Sequence, residues 1–172
     1  MSGEVVVDTN VLAISERRHP EASDACLNSC IELVRQIHDG ELVVLVDEQD
    51  EILTEYLRYV GGKESSAVGK KIALLLRTRK HDTSVCRRFS ITPQPDNAGG
   101  YVEVPASLSD FDNDDQKFLA VAKVSGVTPK IFAGLDGEWW DRSADLVDAG
   151  FDIQFRCSSD LIARDSAGGG TS

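Results

Sequence analysis

Val5-Val6-Val7-Asp8-Thr9-Asn10-Val11-Leu12 is the stretch on which the fold of this chain turns. Three successive β-branched residues that stop on a carboxylate read as a short buried strand whose last residue reaches the edge of its sheet. Outward from it, Pro20 suits a first helical position, and Leu27, Cys30, Ile31, Val34 and Ile37 recur at helical spacing until Gly40 stops the pattern. Leu42 to Val46 reads as a second strand. Asp47 can cap a helix carrying Ile52, Leu53, Tyr56, Leu57 and Val60, which ends at Gly61-Gly62. Further along, Ile72, Leu74, Leu75 and Leu76 lie among lysines and arginines, as on a helix with one buried and one cationic face. Prolines and glycines mark a connection from Thr92 to Ser109, with a short strand at Tyr101 to Val104. A helix at Asp115 to Val124, a strand at Lys130 to Leu135 ending on Asp136, a helix at Asp141 to Ala149 and a strand at Phe151 to Phe155 complete the pattern. Strands alternating with helices of this length predict an α/β fold, a mainly parallel sheet with helices on both faces joined by right-handed crossovers.

The 172 residues suit one domain, read here as residues 1–158, followed by a tail at 159–172 that ends in a disordered, glycine-rich Ser166 to Ser172. An apolar fraction of 41% can fill one core, and 27% charged residues with five prolines exclude a fibrous or disordered chain. No apolar stretch is longer than one such as Leu42 to Val46, far short of the roughly 20 residues that span a bilayer, and Met1-Ser2-Gly3-Glu4 lacks a basic signal-peptide start. The expectation is a cytoplasmic protein without membrane contact. Four cysteines (26, 30, 86 and 157) form no C-x-x-C pair and are too few for a disulfide scaffold, so they read as reduced.

A net charge of −11 counts against a polyanionic partner until its distribution is considered. Between Lys63 and Arg88 stand eight basic residues against two acidic ones, so this segment carries about +6 and the rest of the chain about −17. A basic face of this kind is often only solvated. Its segregation from an acidic body points equally to a phosphate track, with Lys70, Lys71, Arg77, Arg79 and Lys80 as its candidates.

In a parallel sheet all strands end on the same edge, so Asp8 and Asp136 come close in space, and helices starting there add Asp114, Asp115 and Asp141. Two carboxylates about 4 Å apart repel by roughly 4 kcal/mol at an effective dielectric of 20. Divalent metal is the natural compensation: Mg²⁺ and Mn²⁺ favour oxygen ligands, and such a metal can activate water and neutralise a phosphodiester.

At these residues the chain resembles the PIN-domain nucleases, whose first strand runs into Asp-Thr-Asn or Asp-Thr-Ser as Val5 to Asn10 does here. Glu55-Tyr56-Leu57 looks like the family's helical Glu after the second strand. Asp115-Gln116-Lys117-Phe118-Leu119-Ala120-Val121-Ala122 resembles the helix that opens on its third acid, and Asp136 and Asp141 follow the fourth strand as its last acids do. Leu135 and Gly137-Glu138 depart from the pattern, where the family often has Gly or Ser before the Asp and a second Asp after it. The resemblance spans about Val5 to Phe155. It implies a PIN-like three-layer α/β/α sandwich and metal-dependent endoribonuclease cleavage leaving a 3′ hydroxyl, with Asp8, Glu55, Asp115 and Asp136 catalytic. It also implies Mg²⁺ or Mn²⁺ on Asp8, Asp115, Asp136 and Asp141, with Thr9, Asn10 and Asp114 auxiliary. Small free-standing PIN proteins are often toxins, so a protein antitoxin and a homodimer are its implied partners besides RNA.

Simpler readings stand beside these. Asp8 could cap the segment at Thr9, Asp114 could cap the helix at Asp115, and Glu55 or Glu51 could lie on a solvated face. Trp139-Trp140 could stack a base but suits packing between sheet and helix better. Cys26 and Cys30, at i and i+4, suit a core face because further metal ligands are missing from their vicinity in sequence. A haloacid-dehalogenase-like phosphatase would need a second Asp where Asn10 stands. A degenerate PIN-like scaffold for RNA or protein would not need the acids.

Overall fold

The computed structural model describes residues 2–60 and 68–168; Gly61, Gly62 and Lys63, named above, lie outside them. Five strands, β1 (Gly3–Val7), β2 (Leu42–Asp47), β3 (Cys86–Phe89), β4 (Lys130–Ala133) and β5 (Asp152–Phe155), form one sheet in the order β3-β2-β1-β4-β5. Every pairing is parallel, with Val5 opposite both Val44 and Lys130. The helices are α1 (Thr9–Ser15), α2 (Asp24–His38), α3 (Glu51–Val60), α4 (Val68–Thr78), α5 (Gln116–Ser125), α6 (Gly137–Asp141), α7 (Ser143–Asp148) and α8 (Ser158–Gly168). Helices α1 to α4 pack on one another, while α5 lies across β1, β2 and β3. The result is the three-layer α/β/α sandwich that the alternation requires.

The three central strands are apolar on both faces, as a doubly covered parallel sheet demands: Val6, Val44, Leu45 and Val46 are fully buried. Asp47 accepts hydrogen bonds from the backbone N–H groups of Glu51 and Ile52, both at 2.9 Å, and so caps α3 as its sequence position predicts. Trp139 fills the core between Phe111 and Phe118, with ring centroids 5.1 and 6.5 Å away. Trp140 packs edge-on against Phe155 and donates its indole N–H to Asp165. Both tryptophans therefore serve packing.

Several expectations need correction. Pro20 is not a first helical residue but lies in a turn ahead of α2. Ile72 to Leu76 do fall in α4, but the end of the basic stretch lies in the edge strand β3, where Arg87 pairs with Glu4 and Arg88 with Asp50. Tyr101 makes only an isolated antiparallel bridge to Pro93, so no strand forms at Tyr101 to Val104. The helix expected at Asp141 to Ala149 is present as α7, and a further short helix, α6, precedes it and ends on Asp141. Helix α8 runs through Ser166 to Gly168, into the glycine-rich tail, and residues 169–172 lie outside the described ones. The cysteines are not all reduced: Cys26 and Cys157 form a disulfide across 131 residues of chain, a pairing that only the folded proximity of α2 and the end of β5 makes possible. Among the described residues no helix is long and apolar enough to cross a membrane.

Candidate metal centre

The chain runs from β1 outward through β2 to β3, then returns to β4 on the other side of β1. The strand order thus reverses between β1 and β4, and the crevice beyond the C-terminal ends of those strands is where open α/β sheets bind ligands. Asp8 directly follows β1, and Asp136 lies three residues beyond β4. A hollow of about 290 Å³ opens there, lined by Asp8, Glu55, Asp115 and Asp136 together with Thr9 and Asn10. A larger hollow, about 960 Å³, lies at the opposite edge among Gly3, Leu42, Lys130 and Asp152, the first residues of four strands, and gathers no comparable set of acids.

Local structure fixes each acid. Asp8 occupies the N-cap position of α1, yet its side chain makes no capping bond, it is only 2% exposed, and its Oδ2 has no hydrogen-bond partner. The capping alternative for Asp8 is therefore not realised. Asn10 is spent on the backbone instead: its Oδ1 accepts from Leu135 N at 2.6 Å, clamping the turn after β1 to the turn after β4. Gly134 makes this clamp possible, because a Cβ there would collide with Asn10 Oδ1 and Ile14 Cδ1. Asp115, at the N-cap position of α5, likewise makes no side-chain cap bond. Asp136 accepts from Glu138 N at 2.9 Å, which orients its carboxylate at the start of α6.

Glu55 reaches the site from the second turn of α3. Thr9 Oγ1 donates to its Oε1 at 2.5 Å, and Lys117 Nζ forms an ion pair with its Oε2. Both Glu55 oxygens are thus engaged, one by the Thr9 hydroxyl and one by Lys117. Tyr56, next along α3, donates its hydroxyl to Val7 O and locks that helix to the end of β1.

The electrostatics follow from crowding and burial. Burial, followed by the charges of Asp115, Asp136 and Glu55, holds the Asp8 carboxyl well above its ordinary range. Asp115 is pushed up from 3.8 to about 7 by burial and then by Asp136 and Asp112, against the opposing pull of Lys117. Burial also raises Glu138.

Two candidates stand apart. Asp141 is exposed and paired with Arg164 at 2.9 Å, and it does not line the hollow. Asp114 is exposed, its N–H donating to Asp112 Oδ1. Of the basic candidates, Lys80 pairs with Asp50 and Arg79 with Asp82, Lys70 lies half-buried on α4 with its N–H donating to Glu16, and Lys71 and Arg77 are exposed on α4. None of the five lines the hollow; its cationic and aromatic borders are Arg18, His19 and Tyr59.

Sequence reasoning missed these three residues, and also Lys117 and Glu138. Lys117 was legible in principle, since it interrupts the apolar opening of α5 two positions after Asp115 and is 6% exposed. Glu138 comes within 4.8 Å of Asp112 and Asp115 through one of its oxygens.

Fold and site together define an α/β protein with a carboxylate-lined hollow at the reversal point of a parallel sheet. Comparison with protein-family models, curated proteins and solved structures gave no match.

Proposed function

We propose that the protein is a PIN-like, metal-dependent endoribonuclease using Mg²⁺ or Mn²⁺. The observation that carries this reading is the buried, unpartnered Asp8 Oδ2 facing a hollow lined by three further carboxylates. An unpartnered carboxyl oxygen at 2% exposure can ionise only beside a counter-charge, and the donors offered are all oxygen, which suits a hard divalent cation. Asp8, Asp115 and Asp136 would hold the metal, whose chemistry when bound is to activate water and offset phosphodiester charge. Asn10 and Gly134 keep Asp8 and Asp136 in register. Thr9 and Lys117 hold Glu55 in one orientation, so it acts beside the metal ligands as an aligned acceptor for a proton of the attacking water. Arg18, at the mouth, supplies a positive charge for a phosphate in a site otherwise repellent to polyanions.

RNA is the substrate class this reading adopts, and an antitoxin protein and a second copy of the chain are the partners that accompany it. The test is cleavage of a mixed structured RNA with Mn²⁺, with Mg²⁺ and with EDTA, beside Asp8→Asn. Metal-dependent cleavage lost in the isosteric variant, with its circular dichroism unchanged, is the expected outcome. Cleavage by Asp8→Asn at the wild-type rate would reject the site.

A further inference from the structure

A second group of ligand-type side chains lies away from the acidic hollow, and it is built of sulfur. Cys26 and Cys30 stand one turn apart on α2, and Cys157 follows β5 at the entry to α8. All three are buried, and their sulfurs lie within 4.8 Å of one another. Cys26 and Cys157 are bonded, while Cys30 Sγ lies 3.9 Å from Cys157 Sγ. The disulfide joins two of these residues and leaves Cys30 as a free thiol beside them in the core. The 3.9 Å separation matches two thiolates that share a tetrahedral zinc ion, which places sulfurs about 3.8 Å apart when each Zn–S bond is about 2.3 Å.

The surroundings favour a dication. Arg156 donates to Ser29 O, at 2.9 Å from Nη2, and so fixes a positive charge on α2 next to Cys30. Asp160 accepts from Ser23 N at 2.8 Å and from Ser23 Oγ at 2.5 Å, which brings a carboxylate to the same end of α2 as Cys26. Three thiolates with a monovalent cation would bury two negative charges, whereas zinc leaves one for Arg156 to offset. A water molecule can take the fourth position, as it does where three protein ligands hold zinc.

We propose that, once the Cys26–Cys157 bond is opened, Cys26, Cys30 and Cys157 hold one zinc ion, with the fourth position left to water. A dithiol reductant gives two electrons and two protons to the disulfide sulfurs and leaves as its own cyclic disulfide. Zinc then displaces three thiol protons, which pass to solvent. The junction between α2 and α8 is thereby closed in both states, by a covalent bond when oxidised and by the metal when reduced. Because α8 carries Arg164, paired with Asp141, and Asp165, bonded to Trp140, this junction also braces α6 behind Asp136.

The experiment uses the whole chain, reduced with a dithiol, loaded with equimolar zinc, desalted and assayed by atomic spectrometry. About one zinc per chain is expected in the wild type, with at least about a tenfold loss in Cys30→Ser, which still forms the Cys26–Cys157 bond on oxidation. Asp136→Asn should retain zinc like the wild type, since the acidic hollow is a separate site. Cobalt(II) added to the reduced wild type should give near-ultraviolet sulfur-to-metal absorption, a readout that does not depend on any variant folding. Absence of that absorption, retention of zinc by Cys30→Ser at the wild-type level, or its loss in Asp136→Asn would each overturn the proposal.

Discussion

Lys117 changes how the acidic residues are to be understood. A carboxylate cluster without a cation is unstable, and this chain carries a built-in cation whose side chain is 7% exposed and paired with Glu55. It can offset one charge, which leaves Asp8 still facing Asp115 and Asp136. Removing one partner of a buried ion pair leaves the other uncompensated, at a cost on the order of 3 kcal/mol. Lys117→Met should therefore lower the metal-free melting temperature, and saturating Mg²⁺ should recover more stability in the variant than in the wild type. Melting curves with Mg²⁺ and with EDTA read this directly; an equal Mg²⁺ effect in both proteins would show that Lys117 does not share the electrostatics of the hollow.

Among the elements, the decisive relation is between the turns that follow β1 and β4. Strand pairing brings Val7 beside Phe132, and the Asn10 to Leu135 hydrogen bond carries this register past the sheet into the site. Gly134 has no room for a Cβ. Gly134→Ala should cost about 1–3 kcal/mol, the usual range for overpacking, and should weaken metal binding by spreading Asp8 from Asp136. Chemical denaturation together with Mn²⁺ titration calorimetry tests both halves; wild-type affinity in a destabilised variant would confine the role of Gly134 to packing.

For the whole molecule, the raised carboxyls tie stability to pH and metal. Asp115 is pushed from 3.8 to about 7, so over that window the unfolded chain gives up a proton that the folded chain retains. Stability from this group is fully present below 3.8 and is lost as pH rises through about 7, and Asp8 acts in the same direction. The metal-free protein should accordingly melt lower at pH 7.5 than at pH 5.5. Mg²⁺ should reverse the difference by stabilising the ionised forms, and Asp115→Asn should flatten the slope. A metal-free melting temperature that rises across this interval, with Asp115→Asn parallel to the wild type, would refute the coupling.

The α/β class and three of the inward acids, Asp8, Asp115 and Asp136, were legible in the sequence because strand runs ending on carboxylates, and a helix opening on one, are local signals with fixed geometric consequences in a parallel sheet, whereas Glu55, inside α3, was suggested only by a resemblance. Val5 to Asp8 and Lys130 to Asp136 needed no tertiary knowledge beyond that. Strand β3 was not legible, because four residues containing two arginines carry no apolar alternation and form a strand only by pairing with Val44 to Asp47. Asp141 looked equivalent to Asp136 along the chain, but the turn of α6 points it to Arg164, and only the docking of α8 supplies that partner. The Cys26–Cys157 bond likewise joins residues 131 positions apart. Local propensity and periodicity determined which segments became strands and helices and which carboxylates fell at their ends. Long-range packing decided which of those acids share a hollow, where Lys117 lies among them, and which cysteines meet, because each of these depends on contacts between segments that the sequence alone does not place side by side.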